Sequence, residues 1–150
     1  MGKYSTAAYH SFSDEIDKDW QEFSGQANRT IERVMIGGWK VAVGATPQPP
    51  SFPNASYQRT GRLAAGWKLN TGRTVGLVPA MGKYPKPTAP AFSFNIEKDK
   101  EVQLWNNVPY AKHVEDGAGP GSRTPRPMLK LATEYIQSRL VSELNNIKIR

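Results

Sequence analysis

Two proline-rich stretches limit how much of this 150-residue chain can form helices and strands. Residues 46–57 contain four prolines, and residues 80–100 contain three. Proline has no backbone N–H, so it is excluded from helix interiors and from central strands. We therefore predict a long loop in each stretch. The length suits one domain, and residues 1–150 are expected to share a single core built from the segments outside these loops.

A long helix is predicted before the first loop, because apolar residues recur there at steps of three and four. Ser13 is the expected N-cap, since acidic residues that suit a first helical turn follow it. Residues 1–12 are expected to be mobile. Gly37 and Gly38 weaken the helix, and Pro47 must stop it. The apolar stripe, which predicts packing against a core, consists of Phe12, Ile16, Trp20, Phe23, Ala27, Ile31, Val34 and Met35.

The remainder predicts a small sheet and a second helix. Residues 66–70 and 74–79 flank a turn and are expected to form a hairpin, while residues 101–108 alternate in the manner of a further strand. Residues 125–146 carry a second helical stripe, with Thr124 as N-cap and Pro125 at the first helical position. Two amphipathic helices around a small antiparallel sheet define an α+β fold. The second stripe consists of Met128, Ala132, Tyr135, Ile136, Leu140 and Leu144.

Composition removes several classes of protein. The chain has no cysteine, so disulfides, cysteine-based zinc sites and thiol nucleophiles are excluded. No run approaches the roughly 20 apolar residues of a membrane span, and the N-terminus does not fit a signal peptide. We expect a soluble protein of a reducing cytoplasm that makes no contact with a membrane.

The net charge of +7 is distributed unevenly. Residues 1–36 carry four basic against six acidic side chains, a net charge of −2, and the remainder carries sixteen against seven, a net charge of +9. A basic body of this kind can meet nucleic acid or acidic protein faces, and an ordinary solvated surface is an equally good explanation.

Candidate catalytic groups are few. The spacing of His113, Glu115 and Asp116 is similar to part of a zinc deaminase site, but that site needs a cysteine pair. No Gly-x-Ser-x-Gly turn is present for a hydrolase, and the glycine-rich residues 117–121 lack the lysine of a phosphate-binding loop. We therefore predict no enzymatic activity, no metal and no cofactor.

The second loop combines lysines with aromatic rings, and two interpretations stay open. Rings that stack on bases and lysines that meet phosphates would make it a nucleic-acid-binding loop. Alternatively, it is an arm that packs its rings on a neighbouring subunit, which we favour because the phenylalanines alternate with small or polar residues. Basic residues at the start of the last helix oppose its dipole and predict an acidic partner, which a neighbouring subunit could supply. The proposed interface comprises Lys83, Tyr84, Lys86, Phe92, Phe94, Arg123 and Arg126.

Two motifs carry a family resemblance. The string LWNNVPYAKHVEDGAGPGSRTPRPMLKLA spans residues 104–132, and Thr60-Gly61-Arg62-Leu63 precedes the first predicted strand. In this order they resemble the signature of the tail-completion or neck proteins of long-tailed bacteriophages, often catalogued as minor tail components. The two loops at residues 46–57 and 80–100 are longer than the corresponding connections in that family. The matching positions are Thr60, Gly61, Leu63, Asn107, Pro109, Tyr110, Ala111, Glu115, Gly117 and Pro127.

The resemblance implies a structural role in the virion. Such proteins form a ring, commonly of six copies, between the portal-side connector or head-closure proteins and the tail tube or tail terminator. We expect DNA to pass through the ring without specific binding. Ring contacts join different patches of successive copies, here the acidic first helix and the basic remainder, with the loop aromatics as anchors. Tail termination and head closure remain alternatives, and a basic nucleic-acid-binding protein is the alternative of another class.

The motif residues also have expected structural tasks. Pro109 ends a strand, Tyr110 buries its ring, and Ala111 and Val114 face inward on a short turn. Glu115 is expected either to accept hydrogen bonds from backbone N–H groups or to pair with a basic residue such as Arg62.

Overall fold

The computed structural model of the chain describes residues 6–49, 51, 59–72, 78–117 and 124–149, with side chains from residue 13 onward. In these residues the elements are helices α1 (Thr6–Ala45), α2 (Arg62–Ala65), α3 (Ala111–Asp116) and α4 (Leu129–Asn145), and strands β1 (Trp67–Thr71) and β2 (Val102–Asn106). The predicted α+β class is confirmed: a long first helix and a C-terminal helix accompany an antiparallel two-stranded sheet.

Helix α1 is longer at its start than the sequence pattern indicates. It has 40 residues, or about 60 Å at the usual helical rise. The helix passes through Ser13, so the predicted N-cap is wrong; the preceding residues include Ala7 and Ala8, which favour continuation of a helix. In the predicted stripe Ala27, Val34 and Met35 are buried and Ile31 is half-buried, and the burial continues to Val43. Ile16 and Trp20 are exposed, and the side chain of Phe12 lies outside the described part of the chain.

A glycine pair allows α1 and α4 to approach closely. A Cβ atom at Gly37 would lie 2.5 Å from the hydroxyl of Tyr135, and one at Gly38 would overlap the side chain of Ile136. Both partners belong to the predicted stripe of α4. The two glycines lower the stability of α1 as an isolated helix, but they allow it to pack closely against α4. Larger residues at these positions would push the two helices apart.

Helix α4 begins later than the sequence predicts. Residues 125–127 precede it, and Leu129 is its first residue, so Thr124 and Pro125 do not occupy the N-cap and first helical positions. Pro127 lies two residues before the helix. The cap comes instead from the carboxylate of Glu115, which is distant in the sequence. A local sequence pattern cannot show such a partner, so the predicted start of the helix was wrong.

The described sheet joins distant segments. Strand β1 pairs with β2 in antiparallel register, and Leu69 lies opposite Leu104. This confirms the strand predicted within residues 101–108. The hairpin partner predicted at residues 74–79 lies outside the described residues except for Val78 and Pro79, which are not in a strand.

The core lies where α1, α2, the sheet and the start of α4 meet. Two tryptophans connect its parts by hydrogen bonds: Trp39 Nε1 donates to the carbonyl of Trp67 at 3.0 Å, and Trp67 Nε1 donates to the Thr46 hydroxyl at 2.8 Å. That hydroxyl in turn donates to the carbonyl of Ala42 at 2.6 Å. The other core residues are Val43, Leu63, Ala64, Val108, Val114, Met128 and Ala132.

Candidate functional site

The Thr60-Gly61-Arg62-Leu63 motif forms a tight turn that leads into α2. Gly61 has a φ of 84°, in the left-handed region that side chains disfavour, and a Cβ atom there would overlap the carbonyl oxygen of Tyr84. The carbonyl of Thr60 accepts the backbone N–H of Tyr84 at 2.7 Å, and the Thr60 hydroxyl accepts that of Arg62 at 3.3 Å. Glycine is thus required both by the backbone angle and by the close approach of the second loop.

The structure brings this turn against the second motif. The guanidinium of Arg62 lies over the ring of Tyr110, 5.9 Å from its centroid, and Arg62 Nε donates to the carbonyl of Pro79 at 2.9 Å. Tyr110 remains 38% exposed, so its ring is covered by arginine and not buried in the core as predicted. We call the contact between residues 60–63 and 106–117 the motif junction.

An asparagine holds the motif junction together, but it is not the one predicted. Asn106 Nδ2 donates to the carbonyl of Leu63 at 2.7 Å, and its Oδ1 accepts the backbone N–H of Val108 at 3.0 Å. Asn107, which the resemblance selects, is exposed. Gly66 allows the approach, since a Cβ atom there would lie 2.5 Å from Asn106 Oδ1. Two adjacent asparagines made these roles indistinguishable in the sequence.

Glu115 caps α4. Its carboxylate accepts three backbone N–H groups, those of Met128 at 2.7 Å, Leu129 at 3.0 Å and Lys130 at 3.0 Å. These are donors that a helix N-terminus leaves without intrahelical partners, and the negative charge suits the positive end of the helix dipole. Of the two expected tasks, backbone capping is confirmed. A carboxylate of the same chain thus lies at the basic start of α4, where the sequence predicts an acidic partner.

The end of α3 completes the motif junction. Gly117 has a φ of 73°, and a Cβ atom there would lie 2.5 Å from the nitrogen of Pro125. The carbonyl of Val114 accepts the backbone N–H of Arg126 at 3.1 Å. Strand β2 ends at Asn106, three residues before Pro109, so the strand stops earlier than predicted. Ala111 packs against the core and Val114 lies within it, as expected.

The proposed interface residues lie at several places. Lys83 and Lys86 are exposed, Tyr84 is half-buried and donates its hydroxyl to the carbonyl of Ala80 at 2.6 Å, and Arg123 is outside the described residues. Phe92 and Phe94 belong to a segment that lies alongside α1 of the same chain.

Residues 92–97 lie along α1 through specific hydrogen bonds. The backbone N–H of Phe94 donates to Glu32 Oε1 at 2.8 Å, and that of Ile96 donates to Asn28 Oδ1 at 2.8 Å. The arm interpretation placed Phe92 and Phe94 on a neighbouring subunit. In the described structure their segment is held against its own first helix, and both rings remain half-buried.

A basic groove lies beside this segment, between α1 and α4. It has a volume of about 550 Å³, and Ile36, Phe92 and Tyr135 form its apolar floor. Arg33 pairs with Glu143 at 3.1 Å, and the guanidinium of Arg139 lies 5.6 Å from the ring centroid of Tyr135. The other polar lining residues are Arg29, Glu32 and Lys40.

An exposed acidic segment lies at the other end of α1. We call residues 14–20 the acidic end: it carries four carboxylates and one lysine, and every residue in it is exposed. Two apolar side chains one turn apart share this segment, Ile16 with 53% and Trp20 with 47% of its surface exposed. Trp20 Nε1 donates to Glu97 Oε1 at 2.8 Å, which fixes the orientation of the indole.

The candidate catalytic groups are not arranged around a common point in the described residues. His113 and Asp116 are exposed on α3, and Glu115 is engaged in capping. The described part of the chain contains no cluster of three or more histidine or acidic residues suited to hold a metal ion. Among the described helices, none combines the length and apolarity needed to span a membrane.

Comparison with protein-family models, with curated proteins and with solved structures finds no match to this chain. The site is therefore interpreted from its own geometry. Sequence reasoning missed the basic groove because its cations and its aromatic residues come from segments far apart in the chain. It also missed the contact of Arg62 with Tyr110, although both residues lie within the motifs that carry the resemblance.

Proposed function

We propose that this protein is a structural subunit of a tailed bacteriophage, a ring-forming protein of the head-to-tail joint that completes the tail or connects it to the head. The observation that carries the proposal is the motif junction. The two motif segments lie about 50 positions apart in the chain, yet they contact each other. Arg62, at the variable position of the first motif, lies over the ring of the matching residue Tyr110, and Asn106, next to the matching Asn107, donates to the carbonyl of the matching Leu63. Motifs with a shared structural task are expected to meet in this way.

The tasks of these residues favour a structural over a catalytic role. Gly61, Glu115 and Gly117 set a turn, a helix cap and a close backbone approach, respectively. A scaffold that fixes the relative positions of α2, α3 and α4 suits a subunit that must present the same surface in every copy of a ring. By this proposal the partners are further copies of the chain, connector or head-closure proteins, and the tail tube or terminator.

The surface also supports an assembly role. Several large apolar side chains are more than 40% exposed, and they are concentrated at the first half of α1 and on α4. Exposed apolar residues that recur on two long helices suit burial against other protein surfaces. They are Ile16, Trp20, Leu129, Leu131 and Val141, with Val78, Met81 and Ile149 outside the two helices.

Analysis of purified virus particles tests the proposal. Quantitative mass spectrometry of particles from the virus that encodes this chain should detect it at a fixed ring stoichiometry. Removal of its gene should leave filled heads and tails unjoined in electron micrographs, and supply of the chain from a plasmid should restore joined particles. If the protein is absent from the particles, or joined particles form without it, the proposal fails.

A further inference from the structure

We propose that the acidic end of α1 in one copy docks into the basic groove of the next copy, so that successive subunits join head to tail. The inference rests on the proposed ring-forming role and adds to it the surfaces that meet. The acidic end and the groove involve different parts of α1, and the groove also includes Phe92 and α4, so the two surfaces are different patches, as a head-to-tail contact requires.

The charges of the two surfaces are complementary. The groove and its rim carry Arg29, Arg33, Lys40 and Arg139 against Glu32 and Glu143. Only Arg33 among these cations has a carboxylate within ion-pair distance in the described part of the chain. The acidic end carries Asp14, Glu15, Asp17 and Asp19 against Lys18. Complementary potentials of this kind guide association and set the register of a contact.

The apolar features also correspond. The groove has a floor of Ile36, Phe92 and Tyr135, and the acidic end presents Ile16 and Trp20 one helical turn apart. Residues four positions apart lie on the same face of a helix, so both side chains can enter one groove. An exposed tryptophan inserted into a pocket is a common anchor of protein interfaces.

The anchor is already oriented in the single subunit. Glu97 accepts the indole N–H of Trp20, so the ring does not have to lose all of its rotational freedom on docking. A side chain fixed in its bound orientation binds more tightly because less conformational entropy is lost.

Cysteine crosslinking tests the contact directly, because the chain has no cysteine of its own. Two single variants, Ile16→Cys and Lys40→Cys, place one thiol at each surface, and both positions are exposed. A short bis-maleimide added to their mixture should trap a covalent dimer of one variant with the other, identified by mass. Each variant alone should give little dimer. Dimers only between identical variants, or no dimer at the highest soluble protein concentration, would overturn the proposal.

Charge reversal provides the matched control. Arg29→Glu with Arg139→Glu on the Lys40→Cys chain should lower the yield of the mixed dimer about tenfold, and added salt should lower the yield of the unaltered pair. Lys68→Glu with Lys112→Glu changes the net charge equally at exposed positions away from the groove and should leave the yield unchanged. Equal yields from the two double variants would refute the docking.

Duplex DNA provides the last arm of the experiment. If the groove holds a partner copy, an oligonucleotide duplex should not compete with the mixed dimer at physiological salt. Competition by the duplex, together with direct binding of the duplex that is lost in the Arg29→Glu/Arg139→Glu chain, would overturn the proposal in favour of a nucleic-acid site. The crosslinking uses isolated protein, so its failure is distinguishable from absence of the protein from virus particles.

Discussion

Replacement of Glu115 by alanine removes a single carboxylate that accepts three backbone N–H groups at the start of α4. The backbone of Met128 is then left without its partner, and that residue is only 1% exposed. Leu129 and Lys130 are exposed, so water can replace the carboxylate at their N–H groups.

The cost follows from three contributions. Loss of a helix N-cap costs about 0.5–2 kcal/mol. Loss of a negative charge beside a helix N-terminus costs roughly 0.3–1 kcal/mol, and a buried donor left unpaired costs about 1–3 kcal/mol. Because these contributions overlap, we expect the free energy of unfolding to fall by about 3 kcal/mol, which corresponds to a melting temperature lower by roughly 6–12 °C for a chain of this length.

Urea denaturation followed by circular dichroism measures this change. Glu115→Gln retains the shape and one acceptor oxygen but loses the charge, and it should cost about half as much as Glu115→Ala. Asp116→Ala, the adjacent exposed carboxylate on α3, should change stability by less than about 0.5 kcal/mol. If Glu115→Ala unfolds at the same urea concentration as Asp116→Ala, the capping argument is refuted.

Two further stability predictions concern the turn and the core. Gly61→Ala should cost about 3 kcal/mol, because it combines a disfavoured backbone angle with overlap of the Tyr84 carbonyl, whereas Gly72→Ala, at a similar φ in open space, should cost only about 1 kcal/mol. Equal losses in thermal melts would contradict the close approach. Thr46→Val leaves the indole N–H of Trp67 without its acceptor and should cost about 1–3 kcal/mol, and an unchanged melting curve would show that this bond is dispensable.

The helical stripes were the most predictable feature of this fold. The spacing of the apolar residues from Ala27 to Met35 is enough to predict which face of α1 packs against the core. The glycines that weaken the helix lie where α4 approaches it. The start of α1 could not be located, because Ser13 followed by acidic residues has the composition of an N-cap wherever it occurs. The conformation of the preceding residues distinguishes an N-cap from a helix interior. The helix propensity of those residues is a weaker sequence signal than the N-cap pattern itself.

Long-range partners were the least predictable. The turn at Gly72 is followed by residues that suit a hairpin, yet the described partner of β1 is a strand 30 residues further along the chain. Thr124 and Pro125 have the local pattern of a helix start, but α4 begins where the carboxylate of Glu115 meets the backbone. A side chain that reaches across 13 residues leaves no periodic signal in the sequence.

Because α1 is buried unevenly, its two halves are expected to differ in local stability. We expect amide groups near Val34 to exchange with solvent only when the whole domain unfolds, and those near Asp14 to exchange sooner, because the side chains there are exposed and an unpacked helix end frays in water. If this end docks as proposed, its helical backbone is ordered on binding, and that entropic cost opposes the gain from the Trp20 side chain already oriented by Glu97. A single contact would then remain reversible.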